Sequence, residues 1–200
     1  MPRNRTTLVL AVAALSVVAC GAEDGDQPPG PPAASDAFDA EYRGTLAPPG
    51  QSGDAFTYNP QLAPAGAQLG VDVDRGEGTE VKLTATGLLP NRGYAVHAHT
   101  RPCGPAGDAA GPHFQHEQDP AATPGKPSTD PRYANPRNEI WLDLRTGPDG
   151  RAQAGTQVPF EFGDRAPASV VVHDKEATAT APGSAGQAGG RVACLTVPFK

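Results

Sequence analysis

The chain has 200 residues, a formal net charge of −6 and only 6% aromatic side chains, with 24 glycines and 23 prolines. The acidic balance, without any basic cluster, excludes nucleic acid as the main partner. So many helix breakers exclude a helical bundle and leave a core built on Val, Leu, Ile and Ala.

Residues 1–20 read as an export signal. Arg3 and Arg5 precede an apolar run from Leu8 to Ala19 that has the length of a signal core and is too short for a permanent membrane span. The run ends in Val17-Val18-Ala19-Cys20-Gly21. This is the pattern of a bacterial lipobox, in which Cys20 is acylated. The expected location is therefore extracytoplasmic, on a membrane surface facing a periplasm or the cell exterior. Residues 21–50 follow as a linker. Its first part, GAEDGDQPPGPPAASDA, holds almost nothing that could be buried. Residues 51–200 are long enough for one domain with its own core.

Within that domain, short alternating or β-branched runs lie between turn signals. They are Phe56–Tyr58, Leu69–Val73, Glu80–Thr86, Tyr94–His99, Ile140–Leu144, Ala152–Phe162, Ser169–His173 and Arg191–Val197. This spacing predicts a β-sandwich or barrel. In Glu80–Thr86 the period of two puts Val81, Leu83 and Ala85 on one face. Pro148-Asp149-Gly150 predicts a tight turn. Residues 100–138 and 174–190 do not read as strands. Loops of that length in a compact domain carry function or are disordered, and both begin directly after a histidine.

All five histidines fall between positions 97 and 173. In His97-Ala98-His99 both imidazoles lie on one face of a strand. Gly111-Pro112-His113-Phe114 fixes the backbone just before a third. Val170-Val171-Val172-His173 delivers a fourth at the end of a buried strand. Four imidazoles suit copper or zinc. Three cysteines are present. With Cys20 lipidated, Cys103 and Cys194 remain, and a single pair in an exported protein usually forms a disulfide.

Those histidine motifs, with Cys103 between them and Gly189-Gly190-Arg191-Val192-Ala193-Cys194 after them, make the chain from about residue 54 onward resemble the copper/zinc superoxide dismutases. The resemblance implies an eight-stranded Greek-key β-barrel or sandwich with two long functional loops. It also implies a Cys103–Cys194 disulfide and copper held by His97, His99, His113 and His173. His113 would be the ligand shared with zinc, and Arg191 the arginine that attracts the substrate, superoxide. Asp143 stands at the position of the zinc aspartate, while Ile140 stands where a zinc histidine is expected and His116 comes too early. Copper without tightly bound zinc is therefore expected, with Asp143 supporting a ligand instead. The family's aspartate that links the two metals is absent near Ala177. A copper-storing or copper-delivering protein on the same fold fits the same ligands. Nothing in the sequence sets an oligomeric state.

Overall fold

The structure, a computed structural model, describes residues 39–199 apart from Pro124. The expected signal and lipidation site at Cys20 lie outside the described residues. Among the described residues there are ten strands and one short 3₁₀ helix: β1 Ala40–Thr45, β2 Ala55–Thr57, β3 Gln68–Gly76, β4 Gly78–Thr86, β5 Gly93–Tyr94, β6 Val96–His99, the helix Gly107–Ala110, β7 Leu144–Arg145, β8 Ala152–Val158, β9 Ser169–His173 and β10 Arg191–Thr196.

Eight of the strands form two four-stranded sheets, ordered β1-β3-β4-β8 and β2-β10-β9-β6, and β5 pairs with β7. Every ladder is antiparallel. The result is a sandwich rather than one continuously bonded barrel, because β1 and β2 are joined near their edge only by an isolated bridge between Ala47 and Phe56.

In the first sheet the predicted alternation is real. Thr79, Val81, Leu83 and Ala85 of β4 are buried and the residues between them are only partly so. Val71 faces Leu83, and Leu69 faces Ala85, across the β3–β4 ladder. The second sheet is buried on both faces. Val96, Ala98, Val170, Val172, Ala193 and Leu195 turn into the main core. On the opposite face Val171 and Cys194 pack with Ala110 and Cys103 of the 100–138 loop. A sheet covered on both sides reads as a continuous apolar run, which is why Val170-Val171-Val172 shows no alternation.

Strand β1 lies in the stretch expected to be linker. Its residues pair with β3 from Ala40↔Val73 to Thr45↔Gln68. The ordered sandwich thus begins before residue 51; an edge strand half open to solvent carries too weak an apolar pattern to stand out beside Pro and Gly. The predicted strand 94–99 is split in two. The carbonyl of Ala95 accepts from His173 N (2.8 Å), the last residue of β9, but its N–H donates to Lys175 O (2.7 Å) beyond the end of that strand, so the regular ladder breaks at Ala95. The predicted strand 140–144 is mostly irregular. The Asp143 carboxylate, not a backbone carbonyl, accepts the Val96 N–H. Strand β8 stops at Val158 because Pro159 has no N–H to donate.

Candidate metal centre

The outer face of the second sheet sets out the histidines. His97 pairs with Val171 and His99 with Ser169 in the β6–β9 ladder. Residues 169, 171 and 173 share a face by the period of two, so His173 emerges beside His97 and His99. Strand β10 carries a register shift between Arg191 and Ala193, and Arg191 lies opposite His173. The fourth histidine comes from the long loop, where His113 makes an isolated bridge to His99.

The ligand atoms of His97, His99, His113 and His173 all lie within 4.8 Å of one another. Ring centroids are 4.0 Å apart for His97–His113 and 5.4 Å for His99–His173. Each ring has one nitrogen anchored outward. His99 Nδ1–H donates to Gly111 O (2.9 Å) and His173 Nδ1–H to Gly189 O (3.3 Å). His113 Nδ1–H donates to Glu139 Oε2 (3.1 Å), and His97 Nε2 bonds Thr178 Oγ1 (2.8 Å). A carbonyl can only accept, so His99 and His173 carry their protons on Nδ1 and keep Nε2 free. Those two Nε2 atoms face each other at 3.2 Å. His97 Nδ1 is buried and has no hydrogen-bond partner among the described residues. A fully buried, unsatisfied ring nitrogen among three other imidazoles fits a metal ligand, and anchoring of the distal nitrogen is the usual way such ligands are oriented.

Burial, followed by repulsion from His113, holds His97 and His99 well below the ordinary imidazole value of 6.5 and His173 at about 3. These three rings are neutral bases at physiological pH, the form that binds metal. His113 is the least buried of the four, with its side chain 19% exposed.

Two glycines are required by this arrangement. Gly111 has φ of +73°, and a Cβ there would collide with Thr100 and Arg101. Its carbonyl accepts from both His99 Nδ1 and Arg191 Nη2 (2.6 Å). Gly189 has φ of +87°, and a Cβ would run into the Asp174 carboxylate. That carboxylate accepts the Gly190 N–H at 2.8 Å and so holds the turn that offers Gly189 O to His173.

Arg191 is fixed by Gly107 O (2.7 Å) as well as Gly111 O. Burial lowers its guanidinium from 12.5, Asp108 opposes this, and it remains a cation. It lines a cleft of about 800 Å³ with His113, His173, Lys175 and Glu139. Cys103 and Cys194 are bonded, 5.8 Å apart at Cα and 91 residues apart in sequence. This bridge ties the loop carrying His113 to the strand carrying Arg191. Closing a loop of that length stabilises the fold by up to about 4 to 5 kcal/mol in the chain-entropy account.

Asp143 lies outside the four-histidine group. Oδ1 accepts from Val96 N (3.1 Å) and Thr178 Oγ1 (2.7 Å), and Oδ2 accepts from Thr178 N (2.7 Å). His116 is also apart, exposed and stacked on Phe160 with ring centroids at 4.2 Å. Two further residues at the site give no signal in the sequence. Glu139 is 2% exposed and satisfied by His113, Trp141 Nε1 (2.8 Å) and Gln115 Nε2 (2.8 Å). Thr178 is buried against His97. A lone carboxylate before an apolar run and a threonine in an Ala-rich loop carry no pattern of their own. Only the fold brings them to the rings.

The family model for copper/zinc superoxide dismutase (SODC) matches residues 70–197. Among solved structures, the chain is similar to the Cu/Zn superoxide dismutase from Brucella abortus, at 15% identity and a TM-score of 0.48, covering 79% of this chain and 97% of that one. It is also similar to a double mutant of a SOD-like protein from Bacillus subtilis, at 18% identity and a TM-score of 0.44, covering 64% and 86% respectively. No curated protein matches. The family match spans more than half of the chain and contains all four histidines, both bonded cysteines and Arg191, so the chain belongs to the copper/zinc superoxide dismutase family.

Proposed function

We propose that this protein is a copper-dependent superoxide dismutase acting outside the cytoplasm, with His97, His99, His113 and His173 as the copper ligands. The observation that supports it most is the set of four rings, each tethered on its outer side, beside a fixed arginine at the mouth of one cleft. When bound there, copper supplies one-electron chemistry, alternating between Cu(II) and Cu(I) as two superoxide ions and two protons become dioxygen and hydrogen peroxide.

The protein's own residues have separable tasks. Arg191 presents a positive charge at the cleft and draws in a small anion although the whole chain is negative, because the local field decides the approach. The backbone carbonyl of Gly111 holds Arg191 and His99 in fixed relation. His113 is the ring most open to solvent, and Glu139 holds its Nδ1–H. With Nδ1–H held by Glu139, the lone pair of His113 Nε2 is the one left to ligate copper.

Copper without tightly bound zinc is part of the proposal. Both oxygens of Asp143 are already engaged, Ile140 cannot ligate, and His116 is stacked away from the cluster. A structural zinc site needs four closed ligands. We also propose that Cys20 carries the lipid that holds the protein at a membrane. Replacement of Cys20 by Ala should then move it from the membrane fraction to the soluble one.

The deciding experiment compares copper-loaded with metal-free protein. Dismutation only in the copper-loaded form is expected, with copper equal to the chain concentration and zinc well below it. A copper-loaded protein without activity would favour storage or delivery of copper. One feature favours that second reading: between His173 and Arg191 the only charged residues are Asp174, Lys175 and Glu176. Asp174 is bonded to Gly190 and Glu176 to Arg145, so Lys175 is the one of the three that lines the cleft.

A further inference from the structure

We infer that Thr178 is the positioning residue that decides which nitrogen of His97 faces the metal. The hydroxyl of Thr178 lies between two groups, Asp143 Oδ1 at 2.7 Å and His97 Nε2 at 2.8 Å. A hydroxyl has one proton to give. The carboxylate can only accept, so that proton goes to Asp143. The oxygen of Thr178 is then left with lone pairs alone toward His97, and His97 must supply the hydrogen from Nε2. This leaves Nδ1 bare, and Nδ1 is the buried ring nitrogen without a partner among the described residues. His99, His113 and His173 all do the opposite, with Nδ1 anchored.

The relay is itself braced. The Thr178 N–H donates to Asp143 Oδ2 (2.7 Å), so the carboxylate grips both the backbone and the side chain of the same residue. Val96 N, one residue before His97, donates to Oδ1. Asp143 thereby couples the start of β6 to the loop after His173. Its role is to orient a hydroxyl, and through it one imidazole. The inference rests on the copper site proposed above, but the tautomer it predicts is a property of the metal-free protein.

The test uses full-length Thr178→Val and Thr178→Ser. In metal-free protein with ¹⁵N-labelled histidine, long-range proton–nitrogen correlation reads each ring's tautomer. Wild type and Thr178→Ser should show His97 protonated at Nε2. Thr178→Val should lose that preference, while His99 and His173 keep Nδ1–H. Cu(II) affinity, measured by competition with a chelator, should fall about 10- to 100-fold in Thr178→Val and stay near wild type in Thr178→Ser. If the valine variant does not fold, Thr178→Ala removes the same hydroxyl with less bulk and carries the same expectation. A hydroxyl-free variant in which His97 stays protonated at Nε2 overturns the assignment. Absence of copper binding in wild type would instead sink the proposed function, and the tautomer measurement would still decide the role of Thr178.

Discussion

The two sheets of the sandwich use the same strand geometry for different ends. The β1-β3-β4-β8 sheet buries one face and leaves the other open, so its side chains alternate and its contribution is to stability. The β2-β10-β9-β6 sheet is buried on both faces, and the loops covering its outer face carry the chemistry. A sheet face that is closed off from water can hold neutral imidazoles with a bare nitrogen each, because burial disfavours their protonation. On an open face water would satisfy those nitrogens, and the rings would gain protons nearer the ordinary imidazole value of about 6.5.

This contrast can be broken in order of expected effect. His173→Ala on the covered face should abolish dismutase activity, while Gln153→Ala on the exposed side of β8 should leave activity unchanged and shift stability by no more than about 0.5 kcal/mol; equal activity in the two variants would reject the assigned site. Cys103→Ser removes the bond that holds the covering loop to β10 and should cost about 2 to 5 kcal/mol, read from denaturant unfolding. Leu83→Ala, in the core of the open sheet, should cost a similar about 2 to 5 kcal/mol but leave copper affinity intact, whereas Cys103→Ser should weaken it.

Arg191→Ala should lower the rate about 10-fold and flatten its dependence on ionic strength, since screened attraction is what the guanidinium supplies. A rate that keeps its salt dependence would remove Arg191 from the mechanism. The smallest effect is a pH slope. His173 titrates at about 3 in the folded chain against an ordinary 6.5, and His97 and His99 are also lowered by burial. Between those values the unfolded chain binds protons that the folded chain does not, so stability of the metal-free protein should fall as pH drops from 6.5 toward 3. Thermal unfolding across that range checks this, and His173→Gln should make the decline shallower.

Much of the centre is legible in the sequence. His97 and His99 are two apart and must share a strand face. His113 follows a Gly-Pro that fixes its backbone, and His173 ends a β-branched run. The resemblance carried by these residues implies the ligand set and the pairing of Cys103 with Cys194. Strand β1 is hidden, because Ala40–Thr45 is an edge strand next to prolines and its partner β3 lies beyond a turn and another strand. The division of labour among the acidic residues is hidden too. Glu139 and Asp143 sit four positions apart in one segment, yet one holds His113 and the other holds Thr178.

The sequence by itself determined what depends on local period and residue chemistry: a β-rich domain, paired histidines on one strand face, and side chains able to ligate a soft or borderline metal. The tertiary structure alone decided which nitrogen of each ring is tethered and by what. Those tethers join residues as far apart as His97 and Thr178, and a hydrogen bond needs a donor and an acceptor within about 3 Å in a defined direction, a condition that no one-dimensional spacing encodes.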